Sequence, residues 1–232
     1  MKQIIAMGGG GFGMDEAMRP IQDYIIKASR VTAPKMCFIP TAGADKFEDI
    51  TNFYDSVLYW GGTPSHLSLF RLPSADLESF LLEKDIIFVG GGNTRSMMAL
   101  WREWDLFRIL RRAYDQGTLL SGVSAGGNCW FEDGITTSVP GVMGVAKCSG
   151  ILTGSFCPHY DSQPDRRPAH HRLVAGGEVG AGYGTDEAAA LHWVAGETPK
   201  AVRFGENANV YHVKAVDGKA SEAPLETLIS LI

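Results

Sequence analysis

The sequence predicts an α/β protein, a mostly parallel sheet with helices on both faces. Three observations predict it. Short β-rich runs alternate with longer helical stretches through the first half of the chain, the pattern of strands joined by crossover helices. Two of those runs end directly in glycine turns, "GGGG" (8–11) and "GGGN" (90–93). No internal repeat, low-complexity tract or linker divides the 232 residues, so residues 1–232 are read as one domain.

Each element follows from its local pattern. "KQIIAM" (2–7) is a first strand running into four glycines. Residues 15–29 carry a helical pattern, with Pro20 in an early turn or at a kink. "KMCFIPT" (35–41) is a second strand, and 47–60 space their apolar groups as an amphipathic helix stopped by Gly61-Gly62. "PSHLSLF" (64–70) is more polar, which suits a strand near a sheet edge. "DIIFVGGGN" (85–93) is a fourth, apolar strand, followed by one long helix over 94–115 with a wide apolar face. A fifth strand spans 118–123. Beyond residue 130 the runs at 152–160, 179–185, 188–194, 200–205 and 209–215 fit strands and hairpins that extend the sheet with antiparallel members.

Composition narrows the function classes. A formal charge of −5 disfavours a general binder of nucleic acid or anionic membranes. No apolar run approaches the roughly 20 residues that span a bilayer, and the N-terminal run lacks a signal-peptide core and cleavage site. A cytoplasmic protein is expected, with no nucleic-acid or membrane partner and as a monomer or homodimer. The four cysteines, Cys37, Cys129, Cys148 and Cys157, form no C-x-x-C pair, which fits free thiols in a reducing compartment.

Gly8-x-Gly10-x-x-Gly13 matches a dinucleotide-binding expression. That function needs an acid at the end of the second strand, where Pro40 and Thr41 stand instead. The turn is therefore read as one that lets backbone pass close to a site. No Walker lysine follows either glycine cluster, and H-E-x-x-H is absent. Neither a cofactor nor a metal is expected.

The chemistry centres on "TLLSGVSAGGNCW" (118–130), where Gly122-Val123-Ser124-Ala125-Gly126 fits a nucleophile elbow between a strand and a helix. An oxyanion hole would take one N–H from Ala125 and another from Gly92, in the glycine turn before a helix. Of the six histidines, His159 in "SFCPHYDS" has the best position for a general base, at the end of an apolar run. His66, His192 and His212 lie inside strand-like alternations, and His170-His171 sit in what reads as a solvated helix start. Asp186 and Glu187 are candidate orienting acids, with Asp161 and Asp165 as rivals.

These segments in this order, "FIPTAG" (38–43), "DIIFVGGGNT" (85–94), "LLSGVSAGG" (119–127), "CPHY" (157–160) and "GYGTDEAAAL" (182–191), resemble the peptidase E family of serine peptidases, relatives of the cyanophycinases. The resemblance implies a three-layer α/β fold like that of class I glutamine amidotransferases, with an elbow. It also implies a catalytic triad of Ser124, His159 and Glu187, with Asp186 as the fallback acid and Gly92 and Ala125 as oxyanion donors. The implied activity is hydrolysis of small peptides, foremost dipeptides with N-terminal aspartate, through an acyl-enzyme.

Two departures bear on specificity. A substrate-binding arginine follows the histidine in the family; here "DSQPDRRPAHHRL" offers Arg166, Arg167 and Arg172 without a one-to-one match. Asn93 is a further candidate for substrate binding. Secondly, a "TTND"-like run after the elbow reads "ITTSVPG", with Ser138 in place of the aspartate and Glu132 and Asp133 the nearest acids. The same triad would also serve a β-aspartyl or cyanophycin-type amide hydrolase. A non-catalytic binding protein on a glutamine-amidotransferase-like fold is the reading from a different class.

Overall fold

The computed structural model describes residues 1–13 and 15–232. Five strands, β1 (Gln3–Met7), β2 (Lys35–Ile39), β3 (Thr63–His66), β4 (Ile86–Val89) and β5 (Leu119–Val123), form the parallel half of an eight-stranded sheet. Its order begins at the polar edge strand β3 and runs β3-β2-β4-β5-β1. Three later strands continue it: β10 (Ala189–Val194) antiparallel to β1, then β11 (Lys200–Arg203) and β14 (Leu228–Ser230).

Strand periodicity explains why this sheet needs cover on both faces. In β1, Ile5 and Met7 join one apolar cluster, while Ile4 and Ala6 join the other. The first cluster is closed by α1 (Arg19–Ser29) and α2 (Phe47–Tyr59), through Ile21, Ile25, Phe53 and Val57. The second is closed by α3 (Leu77–Leu82), α4 (Thr94–Glu103), α5 (Leu106–Gln116) and the short α6 (Ala125–Asn128). Helices therefore lie on both faces, as the three-layer reading requires. Pro20 sits in the first turn of α1, where its missing N–H is no loss.

Two expectations change. The helix over 94–115 is two helices, because Asp105 adopts φ 53° and turns the chain between α4 and α5. Apolar periodicity continues across that corner, so the pattern alone does not reveal the break. The C-terminal half, moreover, does not only extend the first sheet. Strands β6 (Phe131–Val139), β7 (Val142–Lys147), β8 (Leu152–Cys157), β9 (Gly182–Thr185), β12 (Val210–Val216) and β13 (Lys219–Pro224) build a second sheet, ordered β13-β12-β9-β8-β6-β7. Helix α7 (Arg166–Ala175) packs on it through Leu173 and Val174, beside Tyr160 and Val213.

Strands β4 and β5 of the first sheet and the parallel strands β8 and β9 of the second all end at one cleft. β1 delivers its glycine turn there too. Loops at the carboxyl ends of strands are where open α/β sheets gather functional side chains.

Candidate active site

The elbow is a steric construction. Ser124 follows β5 with φ 55° and ψ −110°, and α6 begins at the next residue. A Cβ on Gly122 would collide with the carbonyl of Gly126, and one on Gly126 with the carbonyl of Val89. Both glycines of G-x-S-x-G are thus required for the turn to close against β4. The Ser124 N–H donates to the Met7 carbonyl at 3.1 Å, and the Ser124 carbonyl accepts from Gly127 and Asn128, each at 2.9 Å. A non-glycine residue at this φ costs on the order of 1–3 kcal/mol, and these hydrogen bonds with the close packing of Gly122 and Gly126 hold it there.

His159 leaves β8 behind Pro158, also at positive φ (53°). Its Nε2 lies 2.8 Å from Ser124 Oγ, and its Nδ1 lies 2.6 Å from Glu187 Oε2. The Tyr160 N–H bonds the Thr185 carbonyl at 3.1 Å, which ties the histidine loop to the end of β9 just before Glu187. Glu187 is itself held: Ser162 Oγ donates to the same Oε2 at 2.7 Å, and the Glu187 N–H donates to Asp161 Oδ1 at 2.8 Å. Ser124, His159 and Glu187 therefore form one hydrogen-bonded chain.

Asp186, the rival acid, points elsewhere. Its carboxylate accepts the Asn209 N–H at 2.9 Å in a buried setting, and burial pushes its pKa up to about 6. Asp161 serves the Glu187 backbone, while Asp165 precedes α7.

The first glycine run now has a physical account. A Cβ on Gly8 would overlap the carbonyls of Thr185 and Asp186, and a Cβ on Gly9 would overlap the Glu187 carboxylate. Gly8 and Gly9 bring the end of β1 flush against the turn that carries the acid. The second run, after β4, behaves similarly: Gly92 has φ 135°, and the Ala42 carbonyl fills the space a Cβ would need. Among the described residues, the N–H groups of Gly92 and Ala125 make no hydrogen bond. Free donors beside an elbow serine suit a developing oxyanion.

The cleft has a volume of about 430 Å³. Phe12, Phe38, Phe88 and Val123 give it an apolar wall, and α2 adds Asp49 and Asn52. Nothing in the local sequence of α2 distinguishes those two from ordinary polar residues on a surface helix. Among the described residues no lysine or arginine side chain lines the cleft.

The expected substrate-binding arginines lie outside it. Buried Arg166 bonds the Ile135 carbonyl at 2.7 Å and Gln163 at 2.9 Å, joining α7 to β6. Arg167 pairs with Glu222 and stacks over Tyr160 and Tyr211, and Arg172 pairs with Glu178 at 3.1 Å. Asn93 caps α4, its Oδ1 accepting the Ser96 N–H at 3.0 Å while its Nδ2 donates to the Ser138 carbonyl at 3.1 Å. Ser138 takes the Arg95 N–H at 3.2 Å, so this position supports the helix start. Glu132 accepts from the Gly154 N–H and Asp133 pairs with Lys147, so neither nearby acid joins the His159 chain.

Four of the five remaining histidines have polar partners elsewhere, and the His212 ring lies against Tyr183. His66 meets Tyr54, and His192 meets Tyr24 and Gln3. His170 is wholly buried against Ser155 rather than solvated, because α7 packs that face onto the second sheet. Burial pushes the imidazoles of His170 and His192 down to about 4. His171 pairs with Glu222. Among the described residues no three His, Cys, Asp or Glu side chains are grouped to hold a metal ion, and no helix is long and apolar enough to cross a membrane.

Comparison with known proteins places this geometry among relatives. The model of peptidase family S51 matches residues 4–200. The uncharacterized peptidase YgaJ of Bacillus subtilis (strain 168) is 46% identical over 225 residues, 97% of either chain. A crystal structure of a peptidase from an acI-B1 Actinobacterium aligns with a TM-score of 0.74 at 18% identity, covering 98% of this chain and 95% of that one. A Listeria monocytogenes EGD-e protein assigned provisionally to peptidase E aligns with a TM-score of 0.65 at 16% identity, over 88% and 98%. At such identities the two structures establish a shared fold.

Proposed function

The chain belongs to peptidase family S51, a family of serine-type peptidases, and from that premise we propose that Ser124, His159 and Glu187 are the triad with which it hydrolyses short peptides. The observation that carries this is the two-sided engagement of His159, 2.8 Å from Ser124 Oγ and 2.6 Å from Glu187 Oε2. A base in contact with both nucleophile and orienting acid is the arrangement that acyl transfer needs.

In this mechanism Glu187 holds the proton of His159 on Nδ1, leaving Nε2 to accept the Ser124 hydroxyl proton. Ser124 Oγ attacks the scissile carbonyl, and the tetrahedral oxyanion forms against the N–H groups of Gly92 and Ala125. The imidazolium returns its proton to the leaving amine as the C–N bond breaks. Water then attacks the acyl-enzyme by the same route, releasing the acid and restoring Ser124. An oxyanion donor typically contributes about 3–4 kcal/mol to such a step.

The aspartyl-dipeptide reading needs a cation beside the substrate carboxylate. Arg166, Arg167 and Arg172 are all committed to other partners, and the cleft offers Asp49 instead. A β-aspartyl substrate would bring the same uncompensated carboxylate. The proposed substrate is therefore a short peptide with no requirement for N-terminal aspartate. The test is release of free amino acids from Leu-Leu and Asp-Leu by the protein and its Ser124→Ala variant. Turnover that vanishes with the substitution supports the triad; turnover that survives it refutes the assignment of Ser124.

A further inference from the structure

The hydrolytic mechanism leaves two polar side chains of the cleft without a role. Asp49 and Asn52 stand three residues apart on α2, hence on one face of that helix. Asp49 Oδ2 lies 3.4 Å from the point a Cβ on Gly43 would occupy, and the Gly91 carbonyl oxygen lies 3.4 Å from the same point. Gly91 in turn borders the nucleophile: a Cβ there would stand 3.5 Å from Ser124 Cβ. Both oxygens thus border Gly43, and Gly91 borders the elbow.

Neither acceptor has a close partner among the described residues. Among the described residues no hydrogen bond reaches the Gly91 carbonyl or the Asp49 carboxylate. Lys46 Nζ prefers Glu48, at 3.0 Å, and stays 3.9 Å from Asp49. The rings of Phe12, Phe38 and Phe88 line the same cleft. Asp49 keeps 47% of its side chain exposed, so its charge is open to a cation that enters the cleft. The aromatic wall calls for an apolar side chain.

Resting on the reading of Ser124 as nucleophile, we propose that Asp49 and the Gly91 carbonyl bind an ammonium group on the acyl-side residue of the substrate. The phenylalanine wall takes that residue's apolar portion. The cleft so built selects peptides with a free amino group, or a lysyl side chain reaching the same spot. It disfavours an acidic first residue, whose carboxylate would face Asp49 with no compensating cation.

The test uses Phe-Leu, N-acetyl-Phe-Leu, N-acetyl-Lys-Leu and Asp-Leu as substrates of the protein and its Asp49→Asn and Glu48→Gln variants. In parallel, calorimetry measures binding of Phe-Leu to Ser124→Ala and to Ser124→Ala combined with Asp49→Asn. Expected is a clear preference for Phe-Leu over its acetylated form and over Asp-Leu. Asp49→Asn should lower kcat/KM for Phe-Leu about tenfold to a hundredfold, mostly through KM, as loss of a charged hydrogen-bond partner does. Glu48→Gln should match the parent. N-acetyl-Lys-Leu cleaved with the same dependence on Asp49 would support the site and assign the ammonium to the side chain.

Equal handling of Phe-Leu and N-acetyl-Phe-Leu with N-acetyl-Lys-Leu uncleaved, preference for Asp-Leu, or an unchanged Asp49→Asn profile would each overturn the proposal. The binding arm separates it from the hydrolytic reading. Binding lost with Asp49→Asn, but without turnover of any peptide, would sustain the ammonium site and remove the peptidase assignment of Ser124. Binding indifferent to Asp49 would remove the ammonium site, whatever the turnover.

Discussion

Replacing Gly9 by alanine tests the link between the first glycine run and the proposed triad. The new Cβ would overlap the Glu187 carboxylate and stand 2.9 Å from the Glu187 carbonyl oxygen. The carboxylate is the far end of a flexible side chain with 46% of its surface exposed, so it has room to swing toward solvent. The carbonyl contact demands only a small backbone adjustment, costing about 1–3 kcal/mol. At roughly 2–4 °C per kcal/mol for a chain of this size, the expected fall in Tm is modest.

Activity should suffer more than stability. Swinging Glu187 away breaks its 2.6 Å bond to His159 and frees the imidazole to take the wrong tautomer. Hydrogen bonds to charged groups contribute about 1.5–3 kcal/mol, so kcat should fall about ten- to a hundredfold. The assay is steady-state release of amino acid by Gly9→Ala, Glu187→Gln and the double variant, beside thermal melts of each. Because both substitutions remove one interaction, the double variant should be no slower than Glu187→Gln alone. Additive losses, or a Gly9→Ala enzyme within about threefold of the parent, would refute the claim that Gly9 keeps space for a working Glu187.

Three further outcomes follow from the same geometry. Ser124→Gly relieves the positive φ at the elbow, so Tm should rise by a few degrees, about 1 kcal/mol net of glycine's backbone entropy, while turnover is lost; a lower Tm would show that the elbow is unstrained. Gly126→Ala drives a Cβ into the Val89 carbonyl where α6 packs on β4, and should cost at least about 2 kcal/mol or abolish soluble expression; a parent-like melt would refute the packing argument. Burial holds the Asp186 carboxyl up at about 6, so the folded chain binds this proton more tightly than the unfolded chain. Its contribution is complete below about pH 4 and lost as pH rises through about 6. Asp186→Asn stays neutral and still accepts from the Asn209 N–H, so its Tm should gain on the parent as pH rises from 4 to 7, and parallel curves would refute the assignment.

What could be read from the sequence divides by the range of the interactions involved. Most of the parallel half of the first sheet was legible because β1, β4 and β5 are short runs that lead into glycine-containing turns, and the helices between carry their own periodicity. Ser124 was legible for the same reason, since Gly122 and Gly126 clear the turn within five residues. His159 was shortlisted by its place at a strand end. The choice of Glu187 over Asp186 needed the resemblance, because adjacent acids differ only in which way the strand delivers them. The second sheet was hidden, since alternation marks β8 or β12 as a strand without saying which partner it finds.

Substrate recognition was least legible, and for a definable reason. Arg166, Arg167 and Arg172 attract attention because they cluster in sequence, yet successive residues on α7 point in different directions and each finds its own partner. Asp49, by contrast, stands in the first turn of α2 with Glu48, where acids are expected for the helix dipole alone. Only the sheet order, which sets β2 beside β4, carries the start of α2 to the Gly91 carbonyl and the elbow. A residue with a local reason to exist conceals a distant one. The ratio of Phe-Leu to N-acetyl-Phe-Leu turnover, before and after Asp49→Asn, separates the two: a helix-dipole residue would shift Tm and leave that ratio alone, whereas an ammonium ligand would collapse it.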